Sequence, residues 1–258
     1  MPIKFTILGC GSSMGVPRSD GYFGNCDPNN TKNYRTRCSG IIQTKTENIL
    51  IDTSPDLRSQ LINNNINKID KVLYSHMHAD QTHGINDLRV FYIKNKKPIP
   101  IYTDRKTKNH LTKTFSYCFE NKNKEYPATL RIKLIKDKFK IKDGTKIIPI
   151  KSIKVEHGKV KSICYIIDNK LAYISDVSKI YKKDYKYFKN LKYLIIDCLW
   201  YRNHPSHLNL TQCIELIKLF KPKRAILTNL HCDLDYDVLR KKLPKNIVPA
   251  YDGLKVEL

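Results

Sequence analysis

Apolar residues in this chain fall into short runs divided by polar turns, and the runs switch repeatedly between strand and helix spacing. Lys4 to Cys10 reads as a first strand. Ser39 to Thr44 and Asn48 to Thr53 read as a hairpin, after which Ser54-Pro55-Asp56 opens a helix carrying Leu57, Leu61 and Ile62 on one face. The strand Lys71 to Ser75 runs directly into His76. Asp87 to Lys94 has helical spacing, Ile99 to Thr103 is a strand, and Arg105 to Cys118 is a further helix. Leu130 to Glu156 holds several β segments with Lys-Asp and Asp-Gly turns, and Ile163 to Asp168 pairs with Leu171 to Ser175 across Asn169. The last third alternates: helix Ser178 to Phe188, strand Tyr193 to Asp197, helix Thr211 to Phe220, strand Ala225 to Thr228 and helix Tyr236 to Leu243.

This pattern predicts an α/β protein with many strands in both halves, and its polar candidates sit just after strands, where such sheets commonly hold ligands. Gly11 to Arg37 has neither period. Loops of that length usually carry function, so this one is the expected wall of a pocket. The 258 residues can bury a sizeable core, and no linker composition divides them, so one domain over 1–258 is expected. No apolar run is long enough to span a bilayer. The N-terminus enters its first strand without a basic leader or cleavage site, which predicts a cytoplasmic protein with no membrane partner.

Charge changes this picture only a little. The 47 basic residues against 24 acidic ones give a net charge of +23, which suits an anionic partner. The lysines, however, are spread over nearly every segment and accompanied by Asn and Ile. That reads as a bias in residue usage more than a binding patch, so a nucleic acid is not the favoured partner. The eight cysteines are scattered without a C-x-x-C pair and mostly lie in apolar runs, as expected of reduced, buried thiols.

The candidate chemistry is concentrated in Val72-Leu73-Tyr74-Ser75-His76-Met77-His78-Ala79-Asp80-Gln81-Thr82-His83-Gly84. Two imidazoles two residues apart, with a carboxylate two further on, stand at the mouth of a strand. An irregular turn there can converge them on one cation, and these nitrogen and oxygen donors suit zinc and similar divalent ions. Gly84 is expected to let the chain turn tightly into the next helix.

The segment resembles the H-x-H-x-D-H-x-x-G signature of the metallo-β-lactamase superfamily, and the similarity extends over nearly the whole chain. Ile7-Leu8-Gly9-Cys10-Gly11-Ser12-Ser13 resembles that superfamily's first strand and turn, Leu50-Ile51-Asp52-Thr53 a strand ending in aspartate, and Ser175-Asp176 a later one. Val155-Glu156-His157-Gly158 and His207-Leu208-Asn209-Leu210 resemble the branch of phosphodiesterases that open phosphoribosyl cyclic phosphates. The resemblance implies a four-layer αβ/βα sandwich, with two mixed β-sheets flanked by helices, and a metal-dependent hydrolase. It makes His76, His78 and His157 ligands of one ion, with Asp176 bridging to a second position that includes Asp80. Asp52 would accept an N–H from a ligand ring. Asp80 would orient or deprotonate a water, His207 would protonate the leaving oxygen or clamp the phosphate, and His204 and Arg202 would line the substrate pocket.

Two positions depart from that signature. Gln81 stands where it has a histidine, and Asn229, in Leu227-Thr228-Asn229-Leu230-His231, stands where a late-strand histidine is usual. Amide oxygens are poorer zinc ligands than imidazole. One firmly held zinc or manganese ion is therefore expected, with a second site that is weak or suited to a harder ion such as manganese or magnesium. His83 and His231, each two residues further on, are the alternative ligands. Of the cysteine-rich zinc clip that related phosphodiesterases carry near the N-terminus only Cys26 is present, so no structural zinc is expected. The expected substrate is a small anionic phosphodiester, cyclic ones included. The alternatives are an RNA-processing nuclease of the same fold and a metal-poor binding protein without catalysis. A homodimer is left open.

Overall fold

The computed structural model describes residues 2–120 and 125–258. Its strands form two seven-stranded sheets. The first runs β14-β1-β2-β3-β4-β5-β6, with β1 Lys4–Gly9, β2 Ser39–Gln43, β3 Asn48–Ile51, β4 Lys71–Leu73, β5 Ile99–Thr103, β6 Leu130–Leu134 and β14 Lys255–Glu257. The second runs β13-β12-β11-β10-β9-β8-β7, with β7 Lys138–Asp143, β8 Lys146–His157, β9 Val160–Ile167, β10 Leu171–Ile174, β11 Tyr193–Asp197, β12 Arg224–Thr228 and β13 Ile247–Pro249. Both are mixed: β1 to β3 and β7 to β10 pair antiparallel, while β3 to β6 and β10 to β13 pair parallel.

The layering follows from the alternation of side chains along strands that are apolar on both faces. Ile163, Tyr165, Ile167, Tyr173, Ile195 and Ile226 of the second sheet meet Phe5, Ile42, Ile49, Ile51 and Leu73 of the first. The intervening residues Cys164, Ile166, Ile174, Leu194, Ile196 and Leu227 point the other way. They pack under helices α5 Leu210–Phe220 and α6 Tyr236–Lys242. On the far side Leu8, Ile41, Leu50, Val72 and Ile101 lie beneath α1 Leu57–Asn63, α3 Arg89–Asn95 and α4 Arg105–Thr114. The result is the αβ/βα sandwich. All eight cysteines are buried free thiols.

The structure corrects several element expectations. Ile62 is 58% exposed, so of the three apolar residues α1 buries Leu57 and Leu61, with Gln60 buried beside them. Ser178 to Phe188 is not an α-helix but a short 3₁₀ segment, Lys182–Tyr187. Its start is pinned to β8: Ser178 N–H donates to the Glu156 carbonyl (2.7 Å), and the Lys179 carbonyl accepts from Glu156 N–H (2.9 Å). Backbone groups committed to a sheet edge cannot begin a helix. Leu130 to Glu156 ends in one twelve-residue strand, β8, joined to β9 through Gly158 at φ +59°. β13 and β14, three residues each, are too short to leave a period in the sequence. Gly84 has an ordinary φ of −84°, and what it supplies is clearance, because a Cβ there would overlap the Ser54 carbonyl oxygen.

The segment from Gly11 to Arg37 is fastened to the opposite sheet. Gly11 bridges to both Arg37 and Leu230, and Val16 bridges to Arg35. Arg35 is 1% exposed and donates from Nη2 to the Leu234 carbonyl (2.8 Å) and to Asn33 Oδ1 (3.0 Å), while Asn33 donates to Asp235 Oδ2 (2.6 Å). Cys26 Sγ lies 3.9 Å from Arg35 Nη1. Removing this guanidinium leaves buried acceptors without a donor. We therefore expect Arg35→Met to lower unfolding stability by about 3 kcal/mol. A fall in the denaturant midpoint at constant slope checks it; an unchanged midpoint contradicts it.

Candidate metal centre

The chain delivers polar side chains to one edge of both sheets, directly after β3 (Asp52) and β12 (Asn229), a few residues after β4 (His76) and β10 (Asp176), and at the last residues of β8 (His157) and β11 (Asp197). Asp52 and Asn229 each adopt the left-handed region, both at φ +62°, a conformation that costs non-glycine residues energy and turns the chain sharply at the strand end. Ser75-His76-Met77-His78 is irregular, and α2 Ala79–Thr82 begins one residue later, which brings His78 back beside His76.

Three imidazoles meet there. His76 Nε2 lies 2.9 Å from His78 Nδ1, and His157 Nε2 lies 3.2 Å from that same nitrogen. His157 Nδ1 is 2.7 Å from the Ser206 carbonyl, so that nitrogen carries the proton and Nε2 is left as a lone pair. Burial, reinforced by the neighbouring rings of His157 and His78, pushes His76 down to about 3, and His78 is lowered for the same reasons. In any neutral tautomer His78 Nδ1 has a single proton or a single lone pair, which it can direct fully at only one of these two nitrogens. A shared cation resolves the conflict. Nitrogens bonded at about 2.1 Å to one tetrahedral ion stand roughly 3.4 Å apart, close to the spacing observed. The donor set thus fits a zinc-like ion, and one ring nitrogen from each of the three residues lies within 4.8 Å of the other two.

Asp176, 2% exposed, stands beside this cluster with Oδ1 4.0 Å from His157 Nε2. Gln81 Nε2 donates to Asp176 Oδ2 (3.1 Å) and to Asp80 Oδ2 (3.2 Å). Burial and the Asp176 charge push Asp80 up to about 6. Asp52 is fully buried, and its Oδ1 accepts the Ser75 backbone N–H (2.7 Å) while Oδ2 has no partner. It therefore grips the main chain one residue ahead of His76, where an imidazole N–H had been expected.

A pocket of about 320 Å³ opens over these groups, lined among others by Ser12, Met14, Asp80, Leu199, His204 and His207. His207 Nδ1 lies 2.7 Å from Asp197 Oδ2; Asp197, fully buried, also accepts Val177 N–H and Asn229 Nδ2. Against the downward pull of burial, Asp197 raises His207 to about 9. Its ring is 4.6 Å from that of His157 and 5.1 Å from that of His204. Ser12, 3% exposed, faces this pocket with a hydroxyl that has no partner. Neither Asp197 nor Ser12 was anticipated. Asp197 carried a usable signal, a carboxylate ending an apolar strand as Asp52 and Asp176 do, whereas Ser12 carried none.

Three predicted residues are placed elsewhere. His83 packs its ring edge-on against Phe115 (5.4 Å), away from the imidazole cluster. His231 reaches the pocket wall but stacks on Trp200 (4.6 Å, 28°), with Cys232 and Asp233 beside it. Arg202 has a side chain 75% exposed and lies over the same Trp200 ring, its guanidinium 4.5 Å from the ring centre, and it does not line the pocket. No helix among the described residues is long and apolar enough to cross a membrane.

Residues 47–229 match the family described as Beta-lactamase superfamily domain. A diphosphatase from the PhnP family superposes with a TM-score of 0.88 at 29% identity, covering 100% of this chain and 98% of that one. The metallo-β-lactamase fold protein YhfI from Bacillus subtilis gives 0.73 at 20% identity, with 100% and 99% covered. Human tRNase Z, short form, gives 0.67 at 16%, with 98% of each covered. At those identities the last two share the fold. An octanoyltransferase from Porphyromonas gingivalis is 30% identical over 261 residues; the match takes in 98% of this chain and 51% of that protein, so the chain spans about half its length. Family match, sheet order and donor set agree: the chain belongs to the metallo-β-lactamase superfamily of metal-dependent hydrolases.

Proposed function

We propose that this protein hydrolyses a small anionic phosphodiester, cyclic ones included, with a zinc or manganese ion held by His76, His78 and His157. The observation that carries the reading is the pairing of that cluster with an Asp197–His207 couple across one small pocket. A divalent ion held by His76, His78 and His157 would supply Lewis acidity for activating a water near neutral pH. Everything else falls to the chain's own side chains. Asp80 orients the attacking water from the pocket floor and takes its proton. His207, with Nδ1 committed to Asp197, holds a proton at Nε2 for the leaving oxygen. The unpartnered Ser12 hydroxyl offers a donor to a phosphoryl oxygen, and His204 closes the pocket beside His207. Likeness to the PhnP-family diphosphatase supports a phosphoryl substrate.

The test is a panel of substrates presented to zinc- and manganese-reconstituted protein. We expect turnover of a bis-aryl phosphodiester or a cyclic nucleotide, with KM changing little between low and moderate salt. An RNA substrate whose binding weakens steeply over that range would instead favour the nuclease, since each released phosphate counterion contributes to the slope. Inertness toward the whole panel would favour a binding protein.

A further inference from the structure

The family's second metal position does not fit the side chains that surround it here. Its two carboxylates, Asp80 and Asp176, are already joined by the amide of Gln81, whose two N–H groups serve one oxygen of each. Both carboxylate oxygens are acceptors, so an amide oriented the other way would set three oxygens against one another. The orientation found turns Nε2 toward the two carboxylates and leaves Gln81 Oε1 buried and unpartnered, whereas a shared cation would need that oxygen turned toward them. Asn229 is committed in the same way: Nδ2 donates to Asp197 Oδ1 at 3.1 Å and stands 3.0 Å from His207 Nδ1. Neither of the alternative imidazoles replaces them, because His83 lies against Phe115 and His231 against Trp200. His157, Asp176 and His207 also come within coordinating reach of one another, but His157 has only Nε2 to give and that nitrogen belongs to the three-imidazole cluster.

We propose that the amides of Gln81 and Asn229 stand in for a second cation, so that this centre operates with a single ion. Two neutral donors do the structural work of the missing charge. They keep Asp80 aimed at the pocket and Asp176 beside the imidazoles, and Asn229 keeps Asp197 under His207. The inference rests on the metal reading given above, and the two fail differently. Zinc per chain is measured by plasma emission after the purified protein is saturated with a molar excess of Zn²⁺ and gel-filtered, and the measurement is repeated with Mn²⁺. Wild type is expected to retain one ion, as is Gln81→Ala. The double variant Gln81→His with Asn229→His is expected to retain two. Two ions in wild type would overturn the proposal, and so would a lower count in Gln81→Ala, which would make Gln81 a ligand. A double variant that still holds one ion would also count against it, since the amides would then not be what closes the position. No retained ion in wild type would remove the metal reading itself.

Discussion

His157→Ala is expected to strip the protein of its ion and, with it, of hydrolysis, while leaving the chain folded. His157 ends β8 and reaches across to nitrogens delivered by the turn after β4, so it is the ligand that joins the two sheets' contributions. Loss of an outer partner of a ligand typically weakens metal affinity ten- to hundredfold, so loss of one of three imidazoles should weaken it by roughly 10³-fold or more. The fold should survive, because the core between the sheets is made by Phe5, Ile51, Tyr165, Tyr173 and Ile195, none of which touches this ring's function. Metal content, turnover and circular dichroism measured on one preparation check the claim. A variant that keeps both metal and activity would show that the three rings share no ion.

The second large effect separates chemistry from metal binding. His207→Ala should cut turnover by about 10² to 10⁴ while the ion content stays at the wild-type value. The reason is geometric: the ring is bonded through Nδ1 to a fully buried Asp197, which fixes its orientation and favours the protonated form, and it faces the pocket without belonging to the three-imidazole cluster. Asp197→Asn should give a smaller loss in the same direction, since an amide can still accept the Nδ1 proton but carries no charge. Equal loss of ion and turnover in His207→Ala would make it a ligand and contradict the assignment.

Much of the site was legible because its core is local in sequence. His76, His78, Asp80 and Gln81 lie within six residues, and a strand ahead of them told where they emerge. His157 was reached only through its family motif, since nothing in a β-strand ending in Glu-His announces a partner 79 residues away. Asp197 could have been found by treating every strand-ending aspartate alike. What could not be read was direction. Whether Gln81 offers its oxygen to a cation or its N–H groups to two carboxylates depends on Asp176, 95 positions further on. The same holds for His83 and His231: spacing put each within two residues of an altered position, and packing against Phe115 and Trp200 took both elsewhere. At the level of elements, the fold was carried by strands with apolar residues on both faces. The misread stretch from Ser178 to Phe188 was one where sheet-edge hydrogen bonds overrode helical spacing.

Anomalous diffraction from crystals of zinc-reconstituted protein, recorded on either side of the zinc edge, bears most directly on the shared coordination sphere. The account predicts one strong peak bonded to His76 Nε2, His78 Nδ1 and His157 Nε2. A map with no density among those nitrogens, or with zinc held only by His231, Cys232 and Asp233, would contradict it.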